Sequence, residues 1–223
     1  MSRILEEWFE KSPGLAVKIC GFTVEEEARE TVALGADALG FNFWPRSKRF
    51  LGAVEDHPWI RDLAGKVLRV GVFVDACPSE IVGLVEGGWI DAAQLHGDET
   101  PEDCAQLQAS GVAVIKAIGV ENRDSLKGLR AYGTAAVLLD AHAPETRGGT
   151  GESIDWNLAR EAVAVVPGLP VLLAAGLTPG NVAEAVAAVR PAGVDVASGV
   201  EAGVPGRKDL ERVAHFIEAA RGA

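Results

Sequence analysis

The sequence predicts a single (β/α)8 TIM barrel with a short N-terminal helical extension, and three observations carry that prediction. Eight short apolar or β-branched runs recur along the chain, and 223 residues over eight units give about 28 each, close to the ~30 residues of a βαβ step. Most of the runs are near-continuous rather than alternating, as strands of a parallel sheet covered on both faces should be. Helix-like segments with their own start and stop signals lie between them, so strand and helix alternate with little chain left over. A doubly wound open sheet fits less well, because eight regular units are present and no G-x-G-x-x-G follows the first strand.

Taken in order, residues 1–13 read as an extra helix outside the barrel, which covers its bottom, meets a second copy or has no role, and 14–223 as the barrel domain. The predicted strands are Leu15–Ile19, Ala38–Phe43, Leu68–Val74, Ala92–Leu95, Val112–Ile118, Ala136–Leu139, Val171–Ala174 and Val194–Ala197. After the first, Thr23 and Glu26 form a capping-box pattern ahead of Val24–Leu34, with Gly35 as the stop. Pro78 opens Ser79–Val85 and Pro101 opens Glu102–Ala109, each proline in the first turn, where its missing N–H costs nothing. Asp155 is placed to cap Trp156–Val165, Thr178-Pro179 to start Gly180–Val189, and Lys208 begins the last helix, ending near Ala220. Gly52–Leu63 and Asn122–Ala131 carry the weakest helical pattern.

Composition narrows the function. Hydrophobic residues make up 48% and charged residues 24% of the chain, ordinary values for a globular domain. Twenty-one Lys and Arg against 32 Asp and Glu leave a net charge of −11, which repels nucleic acid and anionic membranes. A small anionic substrate stays compatible, since a local pocket of backbone N–H groups outweighs distant charge. Three widely spaced cysteines, Cys20, Cys77 and Cys104, make neither a disulfide framework nor a zinc pattern and suit a reducing compartment, so the expected location is the cytoplasm. The start MSRILEEWFEKSPG lacks the basic, then apolar, character of a signal peptide.

In such a barrel the chemistry gathers where strands end. Those junctions hold Cys20-Gly21, Trp44–Arg49, His96-Gly97, Asp140, Gly176 and Ser198-Gly199. Asp140 emerges directly from Val137-Leu138-Leu139, which suits a general acid or a loop hydrogen-bonder. Cys20 shares a face with Lys18 by strand alternation, and a cationic neighbour stabilises a thiolate. Trp44-Pro45-Arg46-Ser47-Lys48-Arg49 places three cations in four residues, read either as a solvated loop or as a clamp for an anionic group. Glycine-rich turns at Arg147–Gly151, Ala174–Leu177 and Ala197–Val200 follow the last three strands, where barrels commonly bind phosphate. Gln94 and His96 share an inward face, and His96 reads as a satisfied hydrogen-bonder of the core. Asp195, inside the last strand, needs a partner and reads as structural. No HExxH, paired-Cys or clustered-His pattern points to a metal.

Seven runs occur in order: Val17–Gly21, Gly35–Phe41, Ser47-Lys48-Arg49, Gln94–Gly97, Leu138-Leu139-Asp140, Gly148–Gly151 and Asp195–Glu201. Together they resemble the phosphoribosylanthranilate isomerase family of tryptophan biosynthesis, from about Leu15 to the C-terminus. The resemblance implies an Amadori rearrangement of a phosphorylated aminoaldose, N-(5-phosphoribosyl)anthranilate, to the corresponding aminoketose, with no cofactor and no metal. By the same resemblance Asp140 is the general acid, Cys20 the general base and Arg49 the holder of the anthranilate carboxylate. Gly149, Gly176, Ser198 and Gly199 would hold the phosphate. The chain departs from the family pattern at Asn42 and Trp44 and over Gly52–Trp59, all near Arg49.

Two other readings remain at this level. One is another phosphate-binding barrel, such as a sugar-phosphate epimerase or the related histidine-pathway isomerase; the other is a non-catalytic barrel that binds a phosphorylated metabolite. The first lacks a His/Asp metal cluster or paired aspartates, and the second leaves Cys20 and Asp140 without a purpose. Apolar loops suit a lid or an interface equally, which leaves oligomeric state open.

Overall fold

In the computed structural model, which describes residues 3–12, 14–141 and 153–223, the strands close into a parallel barrel in chain order. They are β1 (Ala16–Cys20), β2 (Ala38–Asn42), β3 (Leu68–Phe73), β4 (Ala92–Leu95), β5 (Val114–Val120), β6 (Ala136–Ala141), β7 (Val171–Leu173) and β8 (Gly193–Val196). Closure comes from β1 pairing with β8, Val17 opposite Val194 and Lys18 opposite Asp195. The residues of these strands are almost all buried, because the helices cover one face and the barrel interior the other.

The surrounding helices are α2 (Glu25–Ala33), α3 (Pro78–Glu86), α4 (Pro101–Ala109), α5 (Trp156–Val165), α6 (Val182–Val189) and α7 (Leu210–Arg221). Thr100 and Asp103 form a reciprocal capping box at α4, and Asp155 accepts the Asn157 N–H at α5. Two start signals act differently from the expectation. The Thr23–Glu26 box does not form; α2 is preceded by Val24 with no side-chain cap, and the Thr23 hydroxyl donates to the Gly206 carbonyl across the barrel mouth. Thr178-Pro179 does not start α6 directly, because the Asn181 side chain accepts the Thr178 N–H and donates to the Gly176 carbonyl, so that helix begins at Val182.

The two weak segments are 3-10 turns rather than α-helices: Val54–Asp56 with Pro58–Leu63, and Arg123–Leu126 with Leu129–Tyr132. Pro58 cannot donate into a preceding turn, and Gly128 and Gly133 sit at positive φ on either side of the last of them. Strand β5 lies two residues later than predicted, since Val112 N–H closes the end of α4 instead of starting the strand.

Helix α1 (Arg3–Lys11) precedes β1. It does not join the outer ring of helices. Its Leu5 and Trp8 pack with Ala16, Ala38, Ala92 and Ala136, the short side chains at the lower ends of the strands. Alanine is too small to fill a barrel of this width, so the helix supplies the missing volume from below.

Candidate active site

The upper end of the barrel brings the sequence-predicted residues to one mouth. Cys20 is the last residue of β1 and is 9% exposed. It has room because β2 offers Gly40 beside it: a Cβ there would lie 2.5 Å from Cys20 Sγ. Below the thiol, Lys18 Nζ donates to Asp195 Oδ1 at 2.8 Å, with the lysine fully buried. The structural reading of Asp195 therefore holds, and its partner is the residue singled out for Cys20. Burial works against the Lys18 charge, but Asp195 and Cys20 outweigh it and raise its pKa. Burial also pushes the Cys20 thiol above its ordinary value; Lys18 and Lys208 pull it down, and Asp195 adds to the rise. The expected stabilisation of the thiolate by Lys18 is thus present but smaller than the cost of burial.

Asp140 lies within β6 rather than just beyond it. Its Oδ1 accepts the Ala141 N–H at 2.9 Å, and its Oδ2 lies 3.2 Å from His96 Nε2. On the far side of the imidazole, Gln94 Nε2 is 3.0 Å from His96 Nδ1. His96 thus has a partner at each ring nitrogen, as its reading as a satisfied hydrogen-bonder has it; strand alternation located its face, and the barrel brought Asp140 to it. The backbone around it is held by buried Lys116, which donates to the carbonyls of Leu95 and Gly97 and pairs with Glu99 at 2.9 Å.

Of the three loop cations, only Arg49 turns inward; Arg46 and Lys48 are exposed. Gly21, at positive φ, lets the Arg49 side chain cross over it, and a Cβ there would collide with Arg49 Cδ. Arg49 Nε and Nη2 form a two-point contact with Glu201, at 2.6 and 2.7 Å. Glu201 also accepts from Gly206 N–H and from buried Lys208. Burial opposes the Glu201 charge, yet Arg49, Lys208 and the Gly206 N–H together bring its pKa below the usual carboxylate value. Lys208 moves the opposite way to Lys18: burial lowers its pKa, and Glu201 and Cys20 recover only part of the loss. Neither Glu201 nor Lys208 was a sequence candidate: Glu201 gains its meaning from Arg49 across the closing seam of the barrel, and Lys208 from Glu201 and from the Cys20 thiol beyond that seam. Asn42 also finds a use, its Oδ1 accepting the Trp44 N–H to start the Arg49 loop.

At the other side of the mouth the turns after β7 and β8 interlock. Ala175 and Gly176 both take positive φ. A Cβ on Gly199 would run into the Leu177 carbonyl, so glycine is required where the two turns meet. Ser198–Val200 forms one 3-10 turn. Gly149 lies outside the described residues. A cavity of about 540 Å³ lies beside the Arg49–Glu201 pair, lined by Arg49, Ser198, Glu201 and Arg212 among others. Among the described residues no group of three or more His, Cys, Asp or Glu is placed to hold a metal ion, and no helix is long and apolar enough to cross a membrane.

The chain is similar to known proteins along almost all of its length. The model of the N-(5'phosphoribosyl)anthranilate (PRA) isomerase family matches residues 17–219. The N-(5'-phosphoribosyl)anthranilate isomerase of Trichlorobacter lovleyi is 43% identical over 209 residues, covering 94% of this chain and 99% of that protein. The crystal structure of phosphoribosyl anthranilate isomerase from Thermotoga maritima superposes with a TM-score of 0.84 at 39% identity, over 94% of this chain and all (100%) of that one. A structure of such an isomerase in complex with reduced 1-(o-carboxyphenylamino)-1-deoxyribulose 5-phosphate gives a TM-score of 0.80 at 38% identity, with coverage of 94% and 100%. Matched along nearly its whole length in sequence and in fold, the chain belongs to the N-(5'-phosphoribosyl)anthranilate isomerase family.

Proposed function

We propose that Asp140 and Cys20 perform at this mouth the reaction that gives the family its name, the Amadori rearrangement of N-(5-phosphoribosyl)anthranilate to 1-(2-carboxyphenylamino)-1-deoxyribulose 5-phosphate in tryptophan biosynthesis. The observation that carries the assignment is the pairing of roles by place. A carboxyl and a thiol sit at the upper ends of β6 and β1, each with its own hydrogen-bonding or charged neighbours, around one mouth that also holds a cation. Asp140 protonates the furanose ring oxygen. The C1–O bond then breaks toward oxygen while the nitrogen lone pair forms the Schiff base. The Cys20 thiolate removes the C2 proton to give the enolamine, which tautomerises to the ketone. Lys18 and Lys208 favour that thiolate against burial.

The substrate carries an anion at each end, and the mouth meets both. Glu201 occupies the Nε–Nη2 edge of Arg49 and holds the guanidinium in place, which leaves Nη1 to donate to the aminobenzoate carboxylate. The turns at Gly176 and Ser198-Gly199, together with Gly149, take the phosphate through backbone N–H groups, in keeping with the place of phosphate sites in such barrels. Binding at both ends fixes the sugar between acid and base, which lowers the entropic part of the barrier. A free, catalytic thiol fits a reducing cytoplasm.

The test follows the fluorescence of the substrate's aminobenzoate group, with substrate generated in situ. Wild type should consume it rapidly, and Asp140→Asn and Cys20→Ala should each lower kcat by about 10²–10⁴ while leaving the fold intact. Wild-type turnover in either variant removes that residue from the mechanism.

A further inference from the structure

We propose that His96 and Gln94 hold the proton that Asp140 delivers to the sugar ring oxygen, with the Gln94 amide turning over as His96 gains or loses that proton. This rests on the assignment of Asp140 as the acid and extends it to where the proton waits.

The geometry begins with an orphan. Gln94 is 1% exposed inside the barrel, and its Oε1 has no hydrogen-bond partner among the described residues. Its Nε2, at the other end of the same amide, faces His96 Nδ1 at 3.0 Å. In that arrangement Gln94 donates, so Nδ1 presents a lone pair and the single ring hydrogen of a neutral His96 is on Nε2, aimed at Asp140 Oδ2 3.2 Å away. The Asp140 oxygens then accept from Ala141 N–H and from His96, and the trio holds no proton to give.

Adding one proton changes what Gln94 must do. An imidazolium carries N–H at both nitrogens, and Nδ1–H would meet the Gln94 NH2 group, donor against donor. Turning the amide through half a rotation brings Oε1 to Nδ1–H, and the two ends of the group are so alike in size that the cavity accepts either. The orphan oxygen of one state becomes the required acceptor of the other, and the amide nitrogen then takes the unpaired place, so the exchange is driven by the demand at His96 Nδ1. Gln94 thus has a complement for both protonation states of His96, and an apolar residue there would have neither.

The step balances. The imidazolium passes its Nε2 proton to Asp140 Oδ2, the carboxyl passes it to the ring oxygen, and the C1–O electron pair leaves on that oxygen. Cys20 takes the C2 proton. Solvent then accepts the Cys20 proton and returns one to His96, so the enzyme ends as it began. The charged groups near the pair are Lys116 on β5, which is paired with Glu99, and Asp75 and Asp98 in the adjoining loops, where Asp75 Oδ1 accepts the Asp98 N–H. The Lys116–Glu99 pair holds the carbonyls on both sides of His96 and gives the ring a fixed direction.

The test compares His96→Asn, Gln94→Glu, Gln94→Leu and Asp140→Asn in the substrate-fluorescence assay, with 15N spectra of the histidine rings of the full-length protein. The His96 signals are assigned by their loss in His96→Asn. His96→Asn should lower kcat by about 10²-fold, the lower end of what acid–base catalysis contributes, with KM within about twofold. In wild type the neutral ring should carry its hydrogen on Nε2. In Gln94→Glu, whose carboxylate only accepts, the hydrogen should move to Nδ1 or the ring should carry both, and Gln94→Leu should abolish the tautomer preference and lower kcat. Wild-type kcat in His96→Asn overturns the proposal while leaving Asp140 as the acid, and a loss confined to KM shows His96 to be only a wall of the pocket. An unchanged 15N pattern in Gln94→Glu overturns the amide exchange even if a variant of His96 fails to fold. Full activity in Asp140→Asn refutes the underlying assignment instead.

Discussion

Gly40→Ala probes the position of the Cys20 sulfur without touching the sulfur itself. The added methyl would lie 2.5 Å from Sγ and 3.0 Å from Cys20 Cα, whereas ordinary contact begins near 3.4 Å. Relief therefore requires the thiol to retreat by about 0.9 Å, since β1 and β2 are locked in register with Cys20 opposite Gly40. A displacement of ~1 Å at a reacting group costs roughly 10²-fold in rate, and overpacking of this size costs about 1–3 kcal/mol of stability. For a chain of this length each kcal/mol lowers Tm by about 2–4 °C. The expected outcome is a protein that unfolds cooperatively several degrees below wild type, with kcat reduced about 100-fold and KM little changed. Substrate-fluorescence kinetics and calorimetry read the two effects separately. A kcat within threefold of wild type, beside a lowered Tm, would show that the sulfur either does not move or does not abstract the proton, and the reasoning about β1 and β2 would fall with it.

Three further outcomes follow from the same contacts. Arg49→Ala should raise KM with a smaller effect on kcat, since it removes a contact to a non-reacting carboxylate, and it leaves Glu201 with only Lys208 and the Gly206 N–H; unchanged kinetics would exclude Arg49 from binding. Because burial raises the Cys20 pKa above its ordinary value, the thiolate limb of the kcat/KM profile should be displaced toward alkaline pH. Lys18→Met should move that limb further up and also destabilise the fold by about 3–5 kcal/mol, by leaving Asp195 buried and unpaired; a plateau reached below pH 8 in both proteins would contradict it. Leu5→Ala should cost about 2–5 kcal/mol, the usual range for a buried leucine, with kcat unaltered because α1 lies at the end of the barrel away from Cys20 and Asp140; a wild-type Tm would show that the helix does not seal the bottom.

Local pattern and chain order were legible without any coordinates. Near-continuous apolar runs separated by capped, glycine-stopped helices specify alternating strand and helix, and eight of them in a row leave a closed parallel barrel as the arrangement that buries every strand on both faces. Strand ends then place Cys20, Arg49, Asp140 and the Gly176 and Ser198-Gly199 turns at one rim, because in such a barrel all the βα loops leave from the same side. Alternation of two put Gln94 and His96 on one inward face, yet named no partner for them.

Which side chains meet depends on how the barrel closes. Lys18 and Asp195 stand 177 residues apart, and Arg49 and Glu201 152 apart; both pairs exist because β8 closes onto β1, an event no local window contains. The same closure converts Thr23 from a helix cap into a tie to Gly206, and curvature makes Gly40 the space into which the Cys20 sulfur fits. Asp140 acquires His96 because β4 and β6 flank β5 around the ring. Side-chain period and capping are set by neighbours in the chain, whereas the charge of a thiol, the direction of a guanidinium and the partner of an imidazole are set by neighbours in space.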